Sequence, residues 1–191
     1  MATIADPQMK AIKSIIQVCR QWPFFGHVVQ QLEKKWVTGE HKIKTAAVGR
    51  MPGEKFIKLW YNLDFVKGLY EGVPSEKGDN YTLGVSLHEV LHICSGHLSL
   101  EFDDRLRGNI ACDCAVNSHI EEKLRFPKGV FAKQYGFEEG KSALWYYNHL
   151  KDNEKYQKQC KDGAFGAGGE FEFVGDSHQL WDELKGDVLA Q

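Results

Sequence analysis

The stretch Thr82-Leu83-Gly84-Val85-Ser86-Leu87-His88-Glu89-Val90-Leu91-His92-Ile93-Cys94-Ser95-Gly96-His97-Leu98 carries apolar residues at helical spacing. Leu83, Leu87, Leu91 and Cys94 form one stripe, joined by Val90 and Leu98, which predicts an amphipathic helix over 82–98. Within it stands His88-Glu89-Val90-Leu91-His92, a His-Glu-x-x-His pattern. At ~100° per residue the two histidines lie about 40° apart, one turn apart on one face, so both imidazoles can reach a single zinc ion. Glu89 stands beside the pair, where its carboxylate can take a proton from water activated at the metal. The bland alternative is a pair of surface histidines on an ordinary helix.

A catalytic zinc needs a third protein ligand and an open position. His97 follows His92 by five residues, and a continued helix turns it about 140° away, which predicts a solvated helix end. Asp113 is better placed. In Asn109-Ile110-Ala111-Cys112-Asp113-Cys114-Ala115-Val116-Asn117 the polar residues Asn109, Asp113 and Asn117 recur every four positions among small apolar ones. An acidic side chain in such surroundings is paired, hydrogen-bonded or bound to metal, and a capping or salt-bridged core Asp is the competing reading. Asn117, one turn on, is expected to hold His88 or His92 by its second ring nitrogen. His119 lies about 240° round from Asp113 and reads as a surface residue. In Gly175-Asp176-Ser177-His178-Gln179-Leu180-Trp181, Asp176 or Ser177 can cap a final helix. The helix dipole then keeps His178 neutral, able to coordinate metal or donate a hydrogen bond. His178 and His97 stay open as alternatives to Asp113.

Around this motif, Met9–Trp22 reads as a helix with Ile12, Ile15, Ile16 and Cys19 on its apolar face, stopped by Pro23, and Val28–Trp36 as a second helix. Thr45–Gly49 is a strand, Met51-Pro52-Gly53 a turn, and Lys55–Tyr61 alternates like a half-buried strand, so a hairpin or two neighbouring strands is expected. Asp64–Tyr70, Arg107–Leu124 and Ser142–Leu150 read as helices, and Pro74–Asn80 as a polar loop. A Gly-rich loop spans 163–169, followed by a strand over Glu170–Val174 and a helix from about Ser177. Helices dominate and the strands precede the main helix. The expected class is α+β, one mainly helical domain over 1–191 with a small β-sheet ahead of the motif helix. Cys94, Cys112 and Cys114 read as small buried hydrophobes.

Composition narrows the function. A chain of 191 residues with net charge −2 lacks the basic surface of a dedicated nucleic-acid binder. No apolar run approaches membrane-spanning length, and Met1-Ala2-Thr3-Ile4-Ala5-Asp6-Pro7 has neither the basic nor the apolar part of a secretory signal. Five cysteines without framework spacing suit reduced thiols in a cytoplasm.

At four stretches the sequence resembles the metallopeptidases often found N-terminal to a von Willebrand A-like domain in bacteria and phages. These are Trp22-Pro23-Phe24-Phe25-Gly26; His88-Glu89-Val90-Leu91-His92 with Gly96-His97-Leu98; Asn109-Ile110-Ala111-Cys112-Asp113 with Val116-Asn117; and Asp176-Ser177-His178 with Trp181. Thr45-Ala46-Ala47-Val48 and Trp60-Tyr61-Asn62 fall in the same order ahead of the motif helix, so the resemblance spans most of the chain. It implies a zincin-like fold and zinc-dependent peptidase activity. Longer relatives continue into the von Willebrand A-like domain. With the sequence ending at Gln191, the AAA-type ATPase partner expected for some of them is not expected here.

The leading expectation is therefore a zinc peptidase acting on a protein or peptide. His88, His92 and Asp113 hold the metal, Glu89 is the general base, and His178 or Tyr61 helps to hold the developing oxyanion. Lys55–Tyr61 would bind an extended peptide by edge addition. The rival expectations are a non-catalytic zinc-binding interaction module using the same ligands, and a metal-free helical interaction protein.

Overall fold

A computed structural model describes residues 6–50 and 54–161. The expected turn Met51-Pro52-Gly53, the Gly-rich loop, the strand over 170–174 and the C-terminal helix with His178 lie outside the described residues. The described part is a mainly helical α+β fold: seven α-helices and one three-stranded sheet, with three single-turn 3-10 segments.

Helix α1 runs Pro7–Gln21, started by the Asp6 side chain, which accepts from the Gln8 N–H at 3.0 Å. Its buried face is Lys10, Ala11, Ser14, Ile15 and Val18, while Ile16 of the expected apolar face is half exposed. Pro23 both ends this helix and begins the next. A proline has no N–H to lose at the first helical position, and its φ is already set for the helix, so α2 starts there and covers Pro23–Gln30. This corrects the helix expected over Val28–Trp36. Its second half is instead strand β1, Glu33–Val37, drawn into the sheet by parallel pairing with strand β3, Lys58–Asn62. Trp36 faces Tyr61 in that register and stacks on its ring at 5.6 Å.

Strand β2, Ala46–Gly49, pairs antiparallel with β3, giving the order β1-β3-β2. The expected neighbouring strands are present. The expected edge is not: Leu59–Asn62 is buried on both faces at the centre of the sheet, and β2 is the edge strand on the motif side. Alternation in Lys55–Tyr61 suggests a half-buried strand, but Ile43 and Leu98 pack with Trp60 on its second face. Asn62 then caps helix α3, Leu63–Gly68, accepting from the Asp64 N–H at 3.0 Å.

Helix α4 is longer than its apolar stripe suggests. It runs Ser75–Cys94, so most of the expected loop over 74–80 is its first turns. From Tyr81 to His92 every residue is buried, because α1, α2, β2 and the next helix surround it. Gly84 lets the chain pack this closely: a Cβ there would meet the Leu124 carbonyl oxygen at 2.0 Å. A helix buried all round must satisfy its polar residues internally. Thr82, Ser86, His88, Glu89 and His92 are such residues.

Gly96 adopts a left-handed φ of 69° and turns the chain back through a single 3-10 turn, His97–Ser99. Helix α5, Arg105–Asn117, begins with the Asp104 carboxylate accepting from the Arg107 N–H at 3.0 Å. It ends at Asn117 rather than Leu124, the remainder being a turn and a 3-10 segment, Glu122–Leu124. Its far side packs Ile110, Ala111, Cys112, Cys114 and Ala115 against helix α6, Ala143–Leu150, in a second core with Tyr146 and Leu150. Helix α7, Glu154–Lys161, follows. Cys112 and Cys114 are buried as expected, but Cys94 is exposed at the end of α4. Among the described residues no helix is long and apolar enough to cross a membrane.

Candidate metal centre

His88 and His92 project from α4 toward α5, where Asp113 sits in the middle of the helix. The His88 and His92 Nε2 atoms are 3.0 Å apart, and they lie 3.5 and 3.2 Å respectively from Asp113 Oδ1. A tetrahedral ion with bonds of ~2.0–2.1 Å spaces its ligands about 3.3 Å apart. The three atoms are thus arranged as one face of such a tetrahedron. His92 and Asp113 are completely buried and His88 is 7% exposed. Neither Asp113 oxygen receives a hydrogen bond of acceptable geometry, although both are buried. A carboxylate in that condition costs several kcal/mol unless a positive charge faces it. This orphaned pair of oxygens, facing two imidazole nitrogens, is the local observation that a divalent cation fits.

Electrostatics describe the same demand. Burial pushes the Asp113 carboxyl upward, but the His88 and His92 rings outweigh it and hold the group below the ordinary carboxylate range. Burial lowers the His88 pKa, and Asp113 more than offsets this, raising it to about 9. His92 is lowered to about 4 by burial and then by the neighbouring His88 charge.

Both candidate ligand rings are held from behind. His88 Nδ1 lies 2.9 Å from Asn117 Oδ1, and the Asn117 amide is oriented by its Nδ2 donating to the Val130 carbonyl at 2.7 Å. His92 Nδ1 lies 3.2 Å from His97 Nδ1. His97 is 4% exposed, not the solvated helix end expected. The helical-wheel extrapolation fails because the left-handed Gly96 folds His97 back onto His92. His97 therefore reaches the face of His92 opposite Asp113 and is not among the converging ligand atoms. The glycine just before His97 was the available sequence signal.

Glu89 is 2% exposed, and burial raises its carboxyl to about 7 despite the opposing pull of His88. The Val48 backbone of β2 hydrogen-bonds to it, while Oε2 has no partner. Glu89 and His88 line a cleft together with Thr45, Val85, Phe126 and Phe131. Tyr61 is not at this cleft. Its hydroxyl bonds to Ser86 at 2.7 Å inside the core, away from the residues that line the cleft, so it is not placed to meet a developing oxyanion there. His119 is exposed, as expected. His178 lies outside the described residues. Among those described, His88, His92 and Asp113 are the group of His, Cys, Asp and Glu side chains that can hold a metal ion.

No family model matches this chain, and no curated protein and no solved structure matches it. Function is therefore read from the chemistry of the centre itself.

Proposed function

We propose that the protein is a zinc-dependent peptidase, with His88, His92 and Asp113 holding the ion and Glu89 as general base. The observation that carries this is the fully buried Asp113 carboxylate, without a hydrogen bond, facing two histidine Nε2 atoms at 3.2 and 3.5 Å, with Glu89 beside them. Two imidazoles and a carboxylate near tetrahedral spacing suit zinc better than the all-oxygen cations. A zinc ion bound there supplies Lewis acidity toward water and toward a carbonyl oxygen. Glu89 is positioned by its bond to Val48 and raised by burial toward neutrality, the range in which a carboxylate both accepts and returns a proton. It takes the proton of the attacking water and delivers it to the leaving amine. The edge strand β2, rather than β3, lies next to Glu89, which its Val48 backbone holds. The resemblance of the motif stretches to metallopeptidases supports the same reading, and five free cysteines suit a reducing, cytoplasmic setting.

The complete burial of His92 and Asp113 favours a second reading, a closed structural zinc in an interaction module. Glu89→Gln separates the two. The peptidase reading expects this variant to keep zinc and its melting temperature while cleavage of a panel of unfolded proteins falls at least ~10²-fold. Zinc-loaded protein that shows no Glu89-dependent cleavage of any panel member refutes the peptidase and leaves the module.

A further inference from the structure

We infer that His97 is a positioning residue that sets the tautomer of His92, so that His92 presents a lone pair rather than a proton to the metal. This role presupposes that His92 binds the ion. A neutral imidazole has one N–H and one lone pair, and two ring nitrogens in contact need one of each between them. His92 Nδ1 and His97 Nδ1 are 3.2 Å apart in a site closed to water, with both residues buried. If the proton between them belongs to His97, the lone pair of His92 is spent on it at Nδ1. His92 must then carry its own proton on Nε2, which is aimed at Asp113 Oδ1 and at His88 Nε2 and closes the place of the ion. If the proton belongs to His92, Nε2 is left as a lone pair facing the centre. His97 as a neutral acceptor at Nδ1 is thus the arrangement compatible with a metal.

The two ligand histidines are served unequally. His88 leans on an amide oxygen, which can only accept, so its tautomer is decided by Asn117 alone. His92 leans on a ring that can either accept or donate, so its tautomer depends on where the proton of His97 resides. The fold-back at Gly96 is the structural device that brings this ring into contact. Its left-handed φ ends α4 two residues after His92 and returns the chain within a single 3-10 turn.

Three variants and one spectroscopic measurement test the assignment. His97→Asn places a carbonyl oxygen where Nδ1 stands and can accept from His92, whereas His97→Leu cannot. Zinc affinity, measured by competition with a chromophoric chelator, should fall ~10–100-fold in His97→Leu, the scale for losing the partner behind a ligand, and recover in His97→Asn. Melting of all proteins in excess chelator controls for folding. In zinc-loaded wild type labelled with 15N, His92 should show a proton on Nδ1 with a scalar coupling across the hydrogen bond to Nδ1 of His97. A merely structural role would not produce that coupling, and the measurement stands even if His97→Leu fails to fold. Equal zinc affinity in all three proteins, equal losses in Leu and Asn, or a missing coupling each overturn the role of His97. Asp113→Asn keeps that failure distinct: if it too leaves zinc affinity unchanged, the metal-centre reading itself is wrong.

Discussion

Two buried polar clusters share helix α4 and are completed in opposite ways. Ser86 and His88 are two residues apart, about 200° round the helix, so one looks toward α1 and the sheet and the other toward α5. Ser86 gathers the hydroxyls of Ser14 at 2.6 Å and Tyr61 at 2.7 Å, and the serines also reach the carbonyls of Thr82 and Ala11 at 3.0 and 2.7 Å. The group is uncharged, and each hydroxyl has a partner within the protein. His88 and His92 gather a carboxylate instead, and both of its oxygens lack a hydrogen bond. Burial is equally deep in the two clusters, so depth does not mark a functional site. What separates them is whether the protein's own atoms complete the cluster. The hydroxyls are closed to further ligands. The carboxylate is open to a cation.

The largest effect expected from this contrast is on metal content. Purified protein should carry close to one zinc per chain by elemental analysis, and His88→Ala or His92→Ala should lose most of it. Asp113→Asn should weaken binding at least ~10-fold, and Asn117→Ala less, since it holds a ligand rather than the ion. Full zinc occupancy in both alanine variants would erase the distinction between the clusters.

Next in size is stability. An ion held by His88, His92 and Asp113 would join α4 to α5 and neutralise Asp113, so zinc at 100 times its dissociation constant should stabilise the fold by about 2.7 kcal/mol. In a chain of this size that is a fall of roughly 5–10 °C in Tm on chelation, readable by calorimetry. An unchanged melting curve would mean that the carboxylate cluster is as self-sufficient as the hydroxyl one.

Tyr61→Phe probes the closed cluster. It should cost about 1 kcal/mol, the worth of one buried hydrogen bond, by the same amount with and without chelator, and leave zinc affinity untouched. A loss that depends on zinc would show the two sides of α4 to be coupled.

The smallest effect belongs to an ion pair nearer the surface. Arg125 meets Glu139 through two hydrogen bonds, at 2.6 and 3.1 Å, and the guanidinium holds the Glu139 carboxyl below its ordinary value. Its stabilisation is therefore complete above the unfolded pKa of about 4.3 and is lost as pH falls through the lower native value. With solvent screening, Glu139→Gln should cost no more than about 0.5 kcal/mol at pH 7 and nothing in strong acid. Denaturant titrations at both pH values measure it, and a loss as large as that at Tyr61 would contradict the ranking by burial and closure.

Much of the centre was legible in one dimension because its parts are set by helix geometry, which acts over four residues. The spacing of His88 and His92 placed two imidazoles on one face, and Asn109, Asp113 and Asn117 marked a polar line on an apolar helix. Those periods hold wherever the helix packs. The residues misread are those whose surroundings come from distant chain. Glu33–Val37, expected within a helix, became a strand because β3 offered it a partner. Lys58–Asn62 lost its expected edge to a second neighbour, and His97 left the helical wheel at Gly96 to reach His92. The sequence by itself determined which chemistry the two central helices carry. Only the tertiary structure decided that these helices face each other, that β2 forms the edge beside Glu89, and that the Asp113 carboxylate is left without a hydrogen bond. Helical period is a local property of the backbone, whereas pairing, packing and the burial of a charge are settled between segments far apart in the chain.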